Sequence, residues 1–154
     1  MKKQTISEKE VVIDVLSLHA LDEPEEDRLE FSTDGMYRYE NGRAQLWYFE
    51  SEVTGLAGTR TSVEIRPEGV VVDRSGTVTS RMEFREGLKN FFPYETPYGM
   101  ATMGMSTRKI CAAFDEHGGS MELDYVLDLE HAAAVRNKIC LKVRENQAQE
   151  RGNA

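Results

Sequence analysis

The sequence predicts an all-β domain, a barrel or sandwich with up-and-down connections, and three observations carry that prediction. Apolar and polar residues alternate with a period of two along most of the chain, the mark of strands with one buried face. Turn signals rich in Gly, Asn and Pro recur about every eight to twelve residues through the middle of the chain. No stretch sustains the i, i+3, i+4 spacing of a long amphipathic helix. About ten short strands follow, and they can curl into a single closed antiparallel barrel of about 8–10 strands, which leaves no exposed edge.

Each element has its own reason. Val11, Ile13 and Val15 alternate with Val12, Asp14 and Leu16, a strand apolar on part of both faces. An acidic cluster around Pro24 (Asp22, Glu23, Glu25, Glu26, Asp27) is a solvated loop. Leu29 and Phe31 mark a short strand and residues 36–39 another, ended by Asn41-Gly42, a strong hairpin signal. Residues 45–53 and 59–65 are strands, and Pro67-Glu68-Gly69 turns the second into Val70, Val71 and Val72. After Ser75-Gly76, Val78, Ser80, Met82 and Phe84 alternate with Thr79, Arg81 and Glu83, which puts Arg81 on the outer face. Glu86-Gly87 leads into 88–94, and a long segment, 98–114, closes at Gly118-Gly119. Met121, Leu123, Tyr125, Leu127 and Leu129 then oppose Glu122, Asp124, Asp128 and Glu130, while Ile139, Leu141 and Val143 oppose Lys138, Lys142 and Arg144. An antiparallel pairing of these two strands, joined by a loop at 131–135, lets the acidic row meet the basic one.

Composition bounds the function. The chain has 154 residues, 40% of them hydrophobic, enough for one domain with a sizeable core. The expected layout is a polar segment at 1–9, the barrel at 10–145 and a disordered tail at 146–154. The formal charge of −8 repels phosphate, so neither nucleic acid nor an anionic membrane is an expected partner. No apolar run is long enough for a transmembrane helix, and the first ten residues lack a secretory core, which makes the cytoplasm the expected location. Cys111 and Cys140, without CxxC spacing, read as reduced thiols. His19, His117 and His131 fall near strand ends and form no metal-ligand pattern, so no metal and no cofactor are expected.

Several segments together resemble the YwiB-like family, small bacterial proteins known as a domain of unknown function. They are Glu50-Ser51-Glu52-Val53-Thr54-Gly55, Ser75-Gly76 with Ser80-Arg81-Met82-Glu83-Phe84, Tyr94-Glu95-Thr96-Pro97-Tyr98-Gly99, and Gly118-Gly119 with Glu122-Leu123-Asp124-Tyr125. Each is weak alone; in this order they span nearly the whole chain between its tails. The resemblance implies a calycin-like β-barrel, related in shape to lipocalins, and carries no activity with it.

A small barrel either packs solid or keeps a cavity for one ligand. Strand 45–53 offers two arrangements: Tyr48, Glu50 and Glu52 inward, which brings two carboxylates into an apolar interior, or Trp47 and Phe49 inward, which leaves them solvated. The second is the simpler expectation. Arg60, just past the Gly55 to Gly58 turn, is the candidate partner for Glu50 or Glu52. Tyr94 and Tyr98 flank a turn at Pro97 that suits either a mouth loop or a corner held by a tyrosine hydroxyl. Met82, Met100, Met103 and Met105 suit an adaptable cavity wall or plain core filling, and Tyr125 lies on an inward face. The candidate ligand-binding set is therefore Tyr48, Glu50, Glu52, Arg60, Met82, Tyr94, Tyr98, Met103 and Tyr125. For catalysis only Glu50, Glu52, Tyr48 and Tyr98 can be assembled, without any nucleophile–base pair, so no catalytic residue is assigned. Two functions remain: a binding protein taking a small, partly apolar ligand into the barrel, and a homodimeric interaction module with a filled barrel and Trp47, Phe49, Phe91 or Phe92 outside.

Overall fold

The computed structural model describes residues 8–21, 23–129 and 134–146. Ten antiparallel strands form one closed barrel in which each strand pairs with the next in sequence. They are β1 (Lys9–His19), β2 (Asp27–Glu40), β3 (Arg43–Phe49), β4 (Thr59–Arg66), β5 (Gly69–Gly76), β6 (Thr79–Phe84), β7 (Lys89–Thr96), β8 (Gly99–Asp115), β9 (Gly118–Leu129) and β10 (Val135–Glu145). Closure comes from β1 lying between β2 and β10, with Ile13 opposite both Thr33 and Val143. A short 3-10 turn, Glu52–Thr54, separates β3 from β4. Part of the expected loop at 131–135 (residues 131–133), most of the tail (147–154), the segment 1–7 and Asp22 lie outside the described residues.

The alternation seen in the sequence becomes the two faces of the barrel wall. Val11, Ile13, Tyr37, Leu46, Val63, Val70, Phe84, Met105, Leu123 and Val143 fill the interior, each nearly inaccessible to solvent. On the outside, the acidic and basic rows of β9 and β10 meet: Arg136 holds Asp124 at 2.8 Å and Lys138 lies 3.7 Å from Glu122, while Arg144 reaches Asp14 of β1 at 2.9 Å.

Two departures from the expected strands have clear causes. The two short strands expected at 29–31 and 36–39 are one, because Gly35 is a close-approach residue rather than a turn. A β-carbon there would lie 2.3 Å from Ile13 Cδ1 and 2.8 Å from the carbonyl oxygen of Trp47, so β2 passes between its neighbours only with glycine. The β6–β7 pairing is limited to Thr79 with Glu95 and Ser80 with Tyr94. The next residue of β7 is Pro93, which has no N–H to give, and the strands part there. Phe84 of β6 and Phe92 of β7 are both buried in the core, and Asn90 Nδ2 links the separated strands through the carbonyl of Glu83 at 2.7 Å.

Candidate binding site at one end of the barrel

The interior has one polar end, built where β3 runs into β4. Along β3, Ala44, Leu46 and Tyr48 point inward. Glu50 prolongs that ladder by one bond, its N–H donating to the carbonyl of Thr59 at 2.8 Å, and so keeps the inward sense of Tyr48. Its side chain is only 2% exposed. This reverses the simpler expectation for strand 45–53. Trp47 and Phe49 face outward, packed edge to face at 5.6 Å, with the Arg60 guanidinium 4.2 Å over the indole. That cover half-buries Trp47 and makes an outward tryptophan tolerable.

Glu52 does not join Glu50. Ser51 caps the 3-10 turn with its hydroxyl, which accepts from the Val53 N–H, and the turn swings Glu52 into solvent. Arg60 is also misplaced in the expected set. It pairs with Phe49 across the ladder, on the outer face, between the buried Thr59 and Thr61. The guanidinium near Glu50 belongs instead to Arg74 of β5, whose Nε lies 4.0 Å from Glu50 Oε2. Thr61 completes the arrangement, donating its hydroxyl to the same Oε2 at 2.5 Å.

Register arranges these side chains in a row. Tyr48 pairs with Thr61, Thr61 with Arg74, Arg74 with Ser80, and Ser80 with Tyr94, so five consecutive strands carry one polar belt along the inner wall. Burial, reinforced by the neighbouring charge of Glu50, pushes the Tyr48 phenol well above the usual tyrosine range, although Arg74 and Thr61 act the other way. Tyr48 is therefore a neutral hydrogen-bonding group at ordinary pH. Burial likewise pushes Tyr125 up to about 12, opposed by Arg74. Two atoms of the charged pair are left over: Glu50 Oε1 and Arg74 Nε are both buried with no hydrogen-bond partner among the described residues, and the hydroxyl of Ser80 further along the belt is in the same state.

Beside the pair is a cavity of about 170 Å³. Tyr48, Glu50, Thr61 and Arg74 line one side; Val15, Phe31, Val72, Leu123, Ile139 and Leu141 make the rest largely apolar; Thr54 and Leu56 come from the β3–β4 connection. Of the residues singled out in the sequence, only Tyr48 and Glu50 line it. Met82, Tyr94, Met103 and Tyr125 face the core but pack beyond it, Met82 with its sulfur 3.9 Å from Arg74 Nη1. Tyr98 is fully exposed. Its turn is held by Thr96, whose hydroxyl accepts from the Tyr98 N–H and donates to the Gly99 carbonyl, both at 3.1 Å, so the turn is neither a tyrosine-bonded corner nor a lid on this cavity. Glu50, Glu52, Tyr48 and Tyr98 thus share no pocket, and neither His19 nor His117 lines this one.

Sequence reasoning missed Arg74 and Thr61. Parity could have found the first, since Arg74 shares the face of Val70 and Val72, four and two residues before it on β5. A larger hollow of about 950 Å³ lies on the outer wall across β2, β1, β10, β9 and β8, over Ser32, Leu16, Cys140, Ser120 and Cys111. It is open to solvent, and among the described residues its floor lacks a buried unpartnered charge.

Comparison with known proteins agrees with this architecture. The chain is 28% identical over 104 residues to the uncharacterized beta-barrel protein YwiB of Bacillus subtilis (strain 168), covering 68% of this chain and 72% of that one. The crystal structure of the ywiB protein from Bacillus subtilis superposes with a TM-score of 0.78 at 24% identity, over 90% of this chain and 93% of that one, a likeness of fold. Residues 13–141 match the model of the family described as Domain of unknown function (DUF1934), and with most of its barrel inside that match the chain belongs to this family.

Proposed function

We propose that the protein binds a small, partly apolar molecule in the cavity between Tyr48, Glu50, Thr61 and Arg74. One observation carries the reading: Glu50 Oε1 and Arg74 Nε are buried, unpartnered and adjacent, at the edge of an apolar-walled space. A buried polar atom without a partner costs roughly 1–3 kcal/mol, and native proteins leave few of them. A ligand that reaches both atoms recovers that cost while its remainder replaces water against Val15, Val72 and Leu123. The rival, a homodimer built on outer aromatics, has less support. Phe49 and Phe91 are exposed but stand on β3 and β7, four strands apart, while Phe92 is buried and Trp47 lies under Arg60.

Native mass spectrometry of the freshly purified protein, set against the denatured chain, tests the reading. A bound species lost on denaturation, and lost as well from Arg74→Met, is the expected result. A ligand-free monomer that also takes up nothing from a panel of small alcohols, amides and acids would refute it. A ligand-free dimer would move the assignment to the interaction module.

A further inference from the structure

We infer that the occupant of this cavity is an uncharged molecule of single-ring size whose polar end both donates and accepts a hydrogen bond, a hydroxyl or a primary amide. The inference rests on the binding reading above and narrows it to a ligand class.

Charge balance comes first. Glu50 and Arg74 are opposite charges 4.0 Å apart, with side chains 2% and 22% exposed. The pair is already neutral as a unit. A carboxylate ligand would set two anions against one guanidinium, and an ammonium would set two cations against one carboxylate. Either leaves an uncompensated charge where desolvation is expensive.

Hydrogen-bond valence comes second. The two unsatisfied atoms differ in kind: Glu50 Oε1 accepts and Arg74 Nε–H donates. Thr61 already donates to Oε2, so Oε1 is the oxygen open to a newcomer. One O–H or CONH₂ group can give its proton to Oε1 and receive one from Nε, whereas an ether or ketone satisfies only Nε. Tyr48, whose hydroxyl stays protonated, adds a second neutral partner on the same wall.

Volume sets the size. The space of about 170 Å³ is close to the ~150 Å³ that accommodates a benzene ring in a wholly apolar core. Long acyl chains and nucleotides are too large for it. The apolar wall of Val15, Phe31, Leu123 and Leu141 suits a ring or a short branched chain.

Four probes of nearly one shape separate these terms: benzyl alcohol, benzylammonium, benzoate and toluene. Each is titrated into the full chain and followed by two-dimensional amide NMR. Benzyl alcohol is expected to shift the amides of Leu56, Thr61 and Arg74 and to bind at least tenfold more tightly than either ion and severalfold more tightly than toluene. Arg74→Met should erase the margin over toluene. Leu56→Trp, at the half-buried rim and away from the charged pair, should weaken all four probes alike and keeps the test independent of how well Arg74→Met folds. If toluene or an ion binds at these residues as tightly as benzyl alcohol, the neutral polar end is wrong while the cavity still binds. If no probe moves these amides, or if Leu56→Trp leaves binding intact, the binding reading itself falls and this inference falls with it.

Discussion

Replacing Arg74 by methionine tests the electrostatic core of the site. The change keeps most of the apolar stem of the side chain and removes the guanidinium, leaving Glu50 buried with the neutral hydroxyls of Thr61 and Tyr48 beside it. Two unit charges 4.0 Å apart attract by about 4 kcal/mol at an effective dielectric constant near 20. Neither partner is more than a third exposed, so solvent discounts this figure less than it does for a surface pair. Breaking a buried pair from one side typically costs about 3–5 kcal/mol, because the remaining charge is uncompensated. Arg74→Met should therefore lose about 3–4 kcal/mol in urea unfolding at pH 7, read as a lower midpoint at unchanged slope. Glu50→Gln in the same background keeps the shape and the Thr61 bond but removes the stranded charge, so the double variant should be more stable than Arg74→Met alone. An interaction energy of about 2 kcal/mol or more is expected from the cycle. A loss below about 1 kcal/mol for Arg74→Met, or strict additivity, would mean that Glu50 does not depend on Arg74, and the argument from charge balance would collapse.

Other consequences follow from the fold. Gly35→Ala places a β-carbon 2.8 Å from the Trp47 carbonyl oxygen and 2.3 Å from Ile13 Cδ1, an overpacking worth about 1–3 kcal/mol that a thermal melt should show as a drop of several degrees. Asp14 and Asp124 are held below the usual aspartate value of 3.8, chiefly by hydrogen bonds from Arg144 and Arg136. Below that value the unfolded chain binds more protons than the folded one, so stability present at neutral pH is lost as pH falls through the folded values. Asp14→Asn/Asp124→Asn should accordingly give a shallower acid limb in unfolding measured against pH; an unchanged slope would contradict the assignment. Cys111 and Cys140 both pair with Glu122, from opposite sides, which sets them two strand spacings or about 10 Å apart, beyond the reach of a disulfide. Cys111 is exposed, whereas burial and Glu122 raise the Cys140 thiol. A thiol reagent at neutral pH should label Cys111 first, and mild oxidation should leave the intramolecular disulfide unformed on a mass spectrum.

The barrel was legible because closing an antiparallel sheet leaves every strand with one wet and one dry face, and that is written directly as alternation. Met121, Leu123 and Tyr125 need no tertiary information to be placed, whereas Val12 and Leu16 beside Val11, Ile13 and Val15 left the inner face of β1 open in the sequence. The continuity of β2 across the break expected between 31 and 36 was not legible, because the role of Gly35 depends on Ile13 and Trp47, which are distant in sequence. The site was harder for a different reason. On β3 both faces carry large aromatic groups, Tyr48 on one and Trp47 with Phe49 on the other, so apolarity alone favours the wrong face. What decides the matter is the cover Arg60 gives Trp47 on the outside, a contact made across β3 and β4. Glu52 escaped for a local reason, the Ser51-capped turn that follows a strand ending at Phe49, four residues short of the expected end at 53. Arg74 lay in plain view at the parity of Val70 and Val72, but a strand read only from its valines stops before reaching it.

The same residues explain why a charged pair at this position calls for a reason beyond folding. At the opposite end of the barrel Tyr37, 1% exposed, donates its hydroxyl to the Asp115 carbonyl at 2.6 Å, with the ring of Phe114 6.2 Å from its own, and one buried atom there, Asn90 Oδ1, has no partner among the described residues. At the Glu50 end the corresponding obligations are left open on three atoms, Glu50 Oε1, Arg74 Nε and Ser80 Oγ. A buried ion pair is at best roughly neutral against well-packed apolar residues of the same volume, and each open valence subtracts further. Leucine and methionine at 50 and 74 would extend a wall that Val72, Leu123 and Leu141 already form. By that general cost the charged pair is not what the barrel needs to hold together, and under the proposed binding function a molecule in the cavity would close its open valences.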